Sequence, residues 1–507
     1  MADTRAPNGA RPGAPTRPVE IGAVNFGPLR AASIELRPLT VLIGPNGIGK
    51  SYVAVLLHSL LRAVDQGTAA VRQRRGYVGP LRMRFTSARK PPGVIDRIRQ
   101  LAEALRAGTE VAIPASVTDW YVREYLRQGL PEQMTAEVTR GFACGLADLA
   151  RFGTGSCELS ARSQVFETTM ALKSDHLRTT RATPAQVELT YVPSQGVVRS
   201  TTGAWSAQVP LLRAMVRDLE RDAGFLMDYI IGSAVLLNVS QAVSPGSSYY
   251  LPAARSGLMQ AHKALVQSYM ERVPFVGFED IHVPRLSGVV VEFLTTLLRV
   301  EPTKGALLEL AAQLETDALH GTVELVGGER EAYPEMRFRL REGPVPLHRA
   351  SSAISELAPL IIYLKYVVEP GDVLVIEEPE AHLHPANQRV LAKYLVRLVR
   401  KGVRVAVTTH SEFLLAQLSA HVRMAALSTR QRRAQHDYGR DDFVVPDEVG
   451  AYLFRWDDPG ALDQGSVTDE LEITPEAGIP DDEFRRVALA LHNERVEMDY
   501  ARLPKGR

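Results

Sequence analysis

The stretch LTVLIGPNGIGKSYVAVLLHSLL, residues 39–61, changes character twice. Leu39–Ile43 is a short apolar run of β type, Gly44, Pro45, Asn46, Gly47, Ile48 and Gly49 interrupt it, and after Lys50 and Ser51 apolar residues recur at helical spacing through Leu60. Strand, G-x-x-x-x-G-K-S and helix, in that order, is the context in which a glycine-rich turn becomes a phosphate cradle. The glycines let backbone N–H groups curl round an anion, and the helix N-terminus adds partial positive charge. In that role Lys50 reaches the β- and γ-phosphates and Ser51 offers its hydroxyl to Mg²⁺. A glycine turn that merely precedes a helix is the alternative, and the flanking strand and helix argue against it.

Far along the chain, VLVIEEPEAHLHP, residues 373–385, drives four apolar residues toward a core and follows them with two adjacent glutamates. Uncompensated carboxylates at the buried end of a strand cost several kcal/mol each, on the order of the penalty for any unpaired buried charge. A cation is therefore expected there. Residues 373–376 read as a second strand lying beside the first, Glu377 as the carboxylate on the Mg²⁺ side, and Glu378 as the group that orients or deprotonates an attacking water. His382 and His384 raise zinc as an alternative, but no partner histidine stands at helix spacing. A turn into a helix over residues 387–401, closed by Gly402, fits them better.

A third apolar strand, residues 403–407 of KGVRVAVTTHSEFLL, ends in Thr408, Thr409, His410 and Ser411. With these motifs in this order the chain resembles the ATP-binding heads of the ABC and SMC class, and within it the RecF-like and OLD-like bacterial ATPases grouped as AAA family 15 or 21. The resemblance covers residues 19–64 and 347–418 and is weak between them. It implies an α/β fold: a P-loop NTPase with an ABC-like ATPase head, a mixed central sheet and a large α+β insertion. It makes residues 44–51 the Walker A loop, residues 373–377 the Walker B strand, Glu378 the catalytic glutamate, residues 381–388 the D-loop and His410 the switch histidine that senses the γ-phosphate. HRASSAISELAPLIIYL, residues 348–364, stands in the place of the signature segment, with Ser351 or Ser352 presented to a γ-phosphate held by another protomer. Ala353 stands where glycine usually follows, Pro359 would kink the early helix, and plain helix capping by these serines is the competing reading. The signature reading implies an ATP-gated homodimer, with ATP and Mg²⁺ as cofactors.

The rest of the chain bounds the partners. At 507 residues, 45% hydrophobic and 23% charged, with a formal net charge of +1, composition announces neither a nucleic-acid nor a membrane partner. Two cysteines are too few for a disulfide framework, and a reducing cytoplasm is the simplest home. Residues 1–18 read as a disordered tail, and the apolar stretch 225–239 falls short of a bilayer span, so no membrane contact is expected. Residues 19–64 and 321–425 are expected to form the head and residues 65–320 the insertion. That insertion comprises a basic loop, a small antiparallel sheet from the alternating stretches 164–175 and 186–199, and a helical lid; residues 426–507 complete the head. Arg72, Arg74, Arg75, Arg82 and Arg84 in the basic loop could track DNA, a solvated loop being the alternative. YYLPAARSGLMQAHK, residues 249–263, resembles a recurrent segment of these ATPases, with Arg255 open to a phosphate, a partner or a buried carboxylate. Residues 428–442 read as a surface loop. Glu448, Asp457 and Asp458 lack the spacing and room of a Toprim nuclease site, so a separately encoded effector, a nuclease or toxin, is the partner the resemblance implies, in antiviral defence or DNA transactions. A RecF-like repair ATPase acting on DNA directly is the alternative.

Overall fold

The computed structural model describes residues 19–66, 90–200, 206–209, 223–261, 286–303, 305–327, 335–436, 438–458 and 465–502. The tail 1–18 and the arginines at 72, 74, 75, 82 and 84 lie outside them. An eleven-stranded sheet organises the chain. Across it run Ser248–Leu251, Val373–Glu377, Arg404–Thr409, Leu39–Ile43, Val449–Trp456, Ser466–Glu470, Leu29–Leu36, Val19–Phe26, Glu158–Arg162, Phe166–Lys173 and His176–Pro184. The first five are mutually parallel, and the remaining pairings are antiparallel except that Ser466–Glu470 runs parallel to Leu29–Leu36. The expected mixed central sheet is thus present.

The parallel strands read as continuous apolar runs because both of their faces are covered. Val373 and Val375 enter one core with the helix Lys50–Gln66, while Leu374 and Ile376 enter a second core with Ser352–Tyr366, Pro385–Arg400 and Glu412–Arg423. Alternation of side chains along a strand makes this division automatic. The helix Ala223–Val243 is buried on nearly all sides within the first core. Its 21 residues make it longer than its apolar stretch announced and long enough to cross a membrane, yet 89% of its most apolar window is buried inside the protein. A helix apolar all round is what a core position requires.

Three expectations are revised. The strand ending in Glu377 does not lie beside the strand of the glycine-rich loop: Arg404–Thr409 runs between them. The two motifs still meet, because Glu377 is level with Thr408 and Thr408 with Leu42, so all three strands end at one edge. The alternating stretches between the motifs do not share one small sheet. Phe166–Lys173 and His176–Pro184 extend the main sheet, whereas Leu189–Val192 and Val197–Ser200 join Val111–Ile113 and Ser206–Gln208 in a separate four-stranded one. Residues 428–442 are not a plain surface loop: Thr429–His436 is helical, Arg432 is buried, and Asp442 is fully buried against Arg397. The segment 65–320, expected as an insertion, also contributes Ser248–Leu251 to one edge of the main sheet and Glu158–Pro184 to the other.

Candidate active site

The loop after Leu39–Ile43 is shaped by its neighbours as much as by any ligand. Gly44 has φ +146°, and a Cβ there would stand 2.6 Å from the carbonyl oxygen of Phe454. At Gly49, φ +106°, a Cβ would stand 2.6 Å from a methyl of Leu29. Two of the motif's glycines therefore let the loop pass under the adjoining strands, while Gly47, φ +74° with open space around it, is required by backbone conformation alone. Ile48 is buried and pins the loop; Pro45, Asn46 and Gly47 form its exposed rim, and Ser51 is exposed at the start of the helix Lys50–Gln66.

Lys50 is 5% exposed, and its ammonium donates to the carbonyls of Gly44 and Pro45 at 2.8 and 2.7 Å. Its third neighbour is Nδ1 of His410, at 3.3 Å. An ammonium only donates, so Nδ1 accepts and the ring hydrogen belongs on Nε2. That nitrogen lies 3.3 Å from Oε1 of Glu378. Burial pushes the Lys50 amine down to about 8, against the pull of Glu378, Glu380 and Glu377.

The adjacent glutamates have different environments. Glu377 ends its strand 8% exposed, and one carboxylate oxygen accepts from the N–H of Ala253 at 3.1 Å; among the described residues no Lys or Arg forms an ion pair with it. Buried and in no ion pair among the described residues, it is the carboxylate of the two that would suit a divalent metal. Glu378 turns outward, its side chain 41% exposed, because its backbone adopts φ +41°. For a residue with a Cβ such a conformation costs of order 1–3 kcal/mol and must be held by its surroundings. Here both the carbonyl and the hydroxyl of Thr408 accept its N–H, each at 3.1 Å. The hydrogen bond from His410 holds the Glu378 carboxyl below its usual range, against partial burial and with further help from Lys50 and Arg255.

Glu380, two residues beyond the paired glutamates, holds the histidine strand in place. One oxygen accepts from the hydroxyl of Thr409 at 2.6 Å and from the N–H of His410 at 2.8 Å, fixing the peptide that carries the histidine. Its other oxygen is buried without a hydrogen-bond partner among the described residues. His384 caps the helix Pro385–Arg400, its Nδ1 accepting from Ala386 at 3.2 Å, as the turn reading required. A groove of about 480 Å³ is lined by Asn46, Glu378, Glu380, Gln388, His410 and Ser411, with Phe413 53% exposed at its rim. Glycine-loop, glutamate-strand and histidine-strand residues thus face one space.

The signature serines stand apart from it. Ser351 caps Ser352–Tyr366, its oxygen accepting from Ile354 at 3.4 Å, and Ser352 is exposed. No hydrogen bond joins either to the glycine-rich loop among the described residues. Pro359 sits inside the helix, which continues past it to Tyr366. Of the three roles left open for Arg255, the buried carboxylate is the one found: it pairs with Glu356 at 2.8 Å and donates to the carbonyls of Glu377 and Glu378 at 2.7 and 3.2 Å. Glu356 and Gln388 lie in segments the resemblance singled out, but their partners, Arg255 for Glu356 and Ser411 for Gln388, could not be read from the sequence. At the other end of the chain, Glu448 pairs with Arg400 and Asp457 with Arg30.

A strand, glycine-rich loop and helix built on a mixed sheet form an α/β arrangement of P-loop type. More particularly, residues 302–415 match the AAA ATPase domain family AAA_15. That segment holds Ser351, Glu377, Glu378 and His410, and the sheet brings residues 44–51 to it. Among solved structures, an SMC head bound to the C-winged helix domain of ScpA is 10% identical with a TM-score of 0.36, covering 90% of this chain and 98% of that one. The Smc head domain with an extended coiled coil, bound to the C-terminal domain of ScpA derived from Pyrococcus furiosus, gives 10% and 0.36, covering 94% and 99%. The SMC head domain from Thermotoga maritima gives 11% and 0.30, covering 90% and 100%. Comparison with curated proteins finds no match.

Proposed function

We propose that this protein binds ATP in the loop Gly44–Ser51 and hydrolyses it with Glu378 as general base, as an ATP-gated homodimer. The observation that carries the reading is the chain of contacts from Lys50 through His410 to Glu378. It joins the phosphate-binding end of the site to the group that activates water, so occupancy by a γ-phosphate and readiness for hydrolysis are set by the same ring. Ionised near neutral pH, the Glu378 carboxylate can accept the proton of an attacking water. Glu377 and Ser51 would hold Mg²⁺, which supplies charge neutralisation on the phosphates when bound. Lys50 would trade its loop carbonyls for phosphate oxygens.

The dimer is supported by the separation of parts. Ser351 and Ser352 are exposed at the start of a helix and hydrogen-bond to nothing in the chain's own loop, while Glu378 faces an open groove. A second copy brings those serines to the nucleotide of its partner. Closure on ATP and release on hydrolysis would make the protein a switch for a separately encoded effector, the role the resemblance implies. Sedimentation with and without magnesium ATP tests it: the Glu378→Gln variant dimerises on ATP and stays dimeric, and monomeric behaviour at saturating ATP counts against the reading.

A further inference from the structure

Arg255 is the largest fully buried side chain among the described residues, at 1% exposure. It spends every N–H it has. Nε donates to the carbonyl of Glu356 at 3.3 Å, one terminal nitrogen to the carbonyls of Pro252 and Glu377 at 3.0 and 2.7 Å, and the other to the carbonyl of Glu378 at 3.2 Å and the carboxylate of Glu356 at 2.8 Å. Glu356 is fully buried, and its carboxylate also accepts from the N–H groups of Arg255 and Ser256 at 3.3 and 2.8 Å. One planar fork therefore ties together the turn at 252–256, the helix Ser352–Tyr366 and the two peptides whose side chains are Glu377 and Glu378. The Glu378 carbonyl it holds belongs to the residue in the left-handed conformation. A lysine, with three donors on one atom, could not span these acceptors.

We propose that Arg255 is a positioning residue that sets the backbone of Glu378, and that its tether to Glu356 makes this setting follow the helix headed by Ser351. Glu356 lies five residues beyond Ser351, about 7.5 Å along the helix. When that helix meets a nucleotide on a second copy, the displacement reaches the first copy's own Glu378 through a single salt bridge. Each protomer's base is thereby informed of the other protomer's ATP. This rests on the hydrolysis and dimer reading above.

The test uses the full chain and measures phosphate release, magnesium ATP affinity and ATP-driven dimerisation for Arg255→Lys, Glu356→Gln and the double variant Arg255→Met/Glu356→Leu. Buried ion pairs are often replaced by apolar residues with little loss of stability, so the double variant separates holding the fold from setting the base. Arg255→Lys is expected to lower kcat by about tenfold to a hundredfold, the range for partners that act through a catalytic group, with ATP affinity within about twofold of wild type. Glu356→Gln should still dimerise on ATP while turning over slowly, and the double variant should remain slow. Wild-type turnover in Arg255→Lys or in the double variant overturns the proposal alone. A wild-type protein that releases no phosphate overturns the ATPase reading and the proposal with it.

Discussion

Nζ of Lys50 lies 3.3 Å from Nδ1 of His410, although 360 residues separate them in the chain. The contact exists because the strand Arg404–Thr409 runs directly beside Leu39–Ile43, with Thr409 level with Ile43. The residues that follow these two strand ends emerge side by side, and the protein's electrostatics at this edge follow from that placement.

Under the proposed function, Lys50 makes nucleotide binding depend on pH. Its amine, buried, titrates near 8 rather than 10.5, and phosphate oxygens would raise it again. ATP affinity is therefore full below about pH 8 and falls as pH rises through that value, with proton uptake on binding between about 8 and the bound-state value. Calorimetry at pH 8.5 in two buffers of different ionisation enthalpy measures the uptake directly. For folding the sign is the same depressed cation: the chain without nucleotide gains stability as pH rises from about 8 toward 10.5, since the unfolded chain binds more protons there. Lys50→Ala removes both effects and most of the ATP affinity.

His410 should control the acid limb of turnover. Its hydrogen bond is the leading cause of the lowered Glu378 carboxyl, so replacing it lets that carboxyl rise. In His410→Asn the pH at which kcat falls on the acidic side moves upward, in addition to a loss of rate at the optimum. A pH–rate profile for the two proteins shows the displacement, and coincident acid limbs would remove Glu378 from the base role.

Gly44→Ala should damage the site from behind. The added methyl meets a backbone carbonyl of the strand Val449–Trp456 at 2.6 Å, and φ +146° is a conformation L residues rarely adopt. Neither the loop nor the strand can yield cheaply, and loss of stability by about 1–3 kcal/mol accompanies loss of ATP binding. Thermal unfolding with and without ATP separates the two effects.

Away from the site, Asp442 anchors the segment read as a loop. It is fully buried, accepts from two nitrogens of Arg397 at 2.5 and 3.1 Å and from the N–H of Gly439 at 2.7 Å. Asp442→Ala leaves a partly buried guanidinium without its partner, which costs on the order of 3–5 kcal/mol in such pairs. Denaturant unfolding checks it, and a change below about 1 kcal/mol would place the pair among exposed ones.

Much of this site was legible because its parts are local. A strand, a glycine turn and a helix N-terminus within residues 39–51 announce themselves, as do Glu377, Glu378 and His410 at the ends of apolar runs. What was not legible is long-range. The order of the strands, with His410's strand between the other two, is a matter of pairing between segments hundreds of residues apart. The need for glycine at 44 and 49 comes from Phe454 and Leu29, which nothing near the motif reveals. Arg255 could be singled out from its segment but not assigned, since its five donors are satisfied by four residues, three of them remote or on other elements. Likewise Asp442 looks solvated in sequence because its neighbours are polar, and its pairing with Arg397, 45 residues away, does not show there.

Phosphate release from magnesium ATP by the wild-type protein and by Glu378→Gln, alongside ATP binding by each, tests the central claim that Lys50, Ser51, Glu377 and Glu378 act on one nucleotide. The account predicts that both proteins bind ATP and that the glutamine variant turns over at least about a hundredfold more slowly, the usual contribution of a positioned general base. Equal turnover in the two proteins, or no binding heat with either, would contradict it.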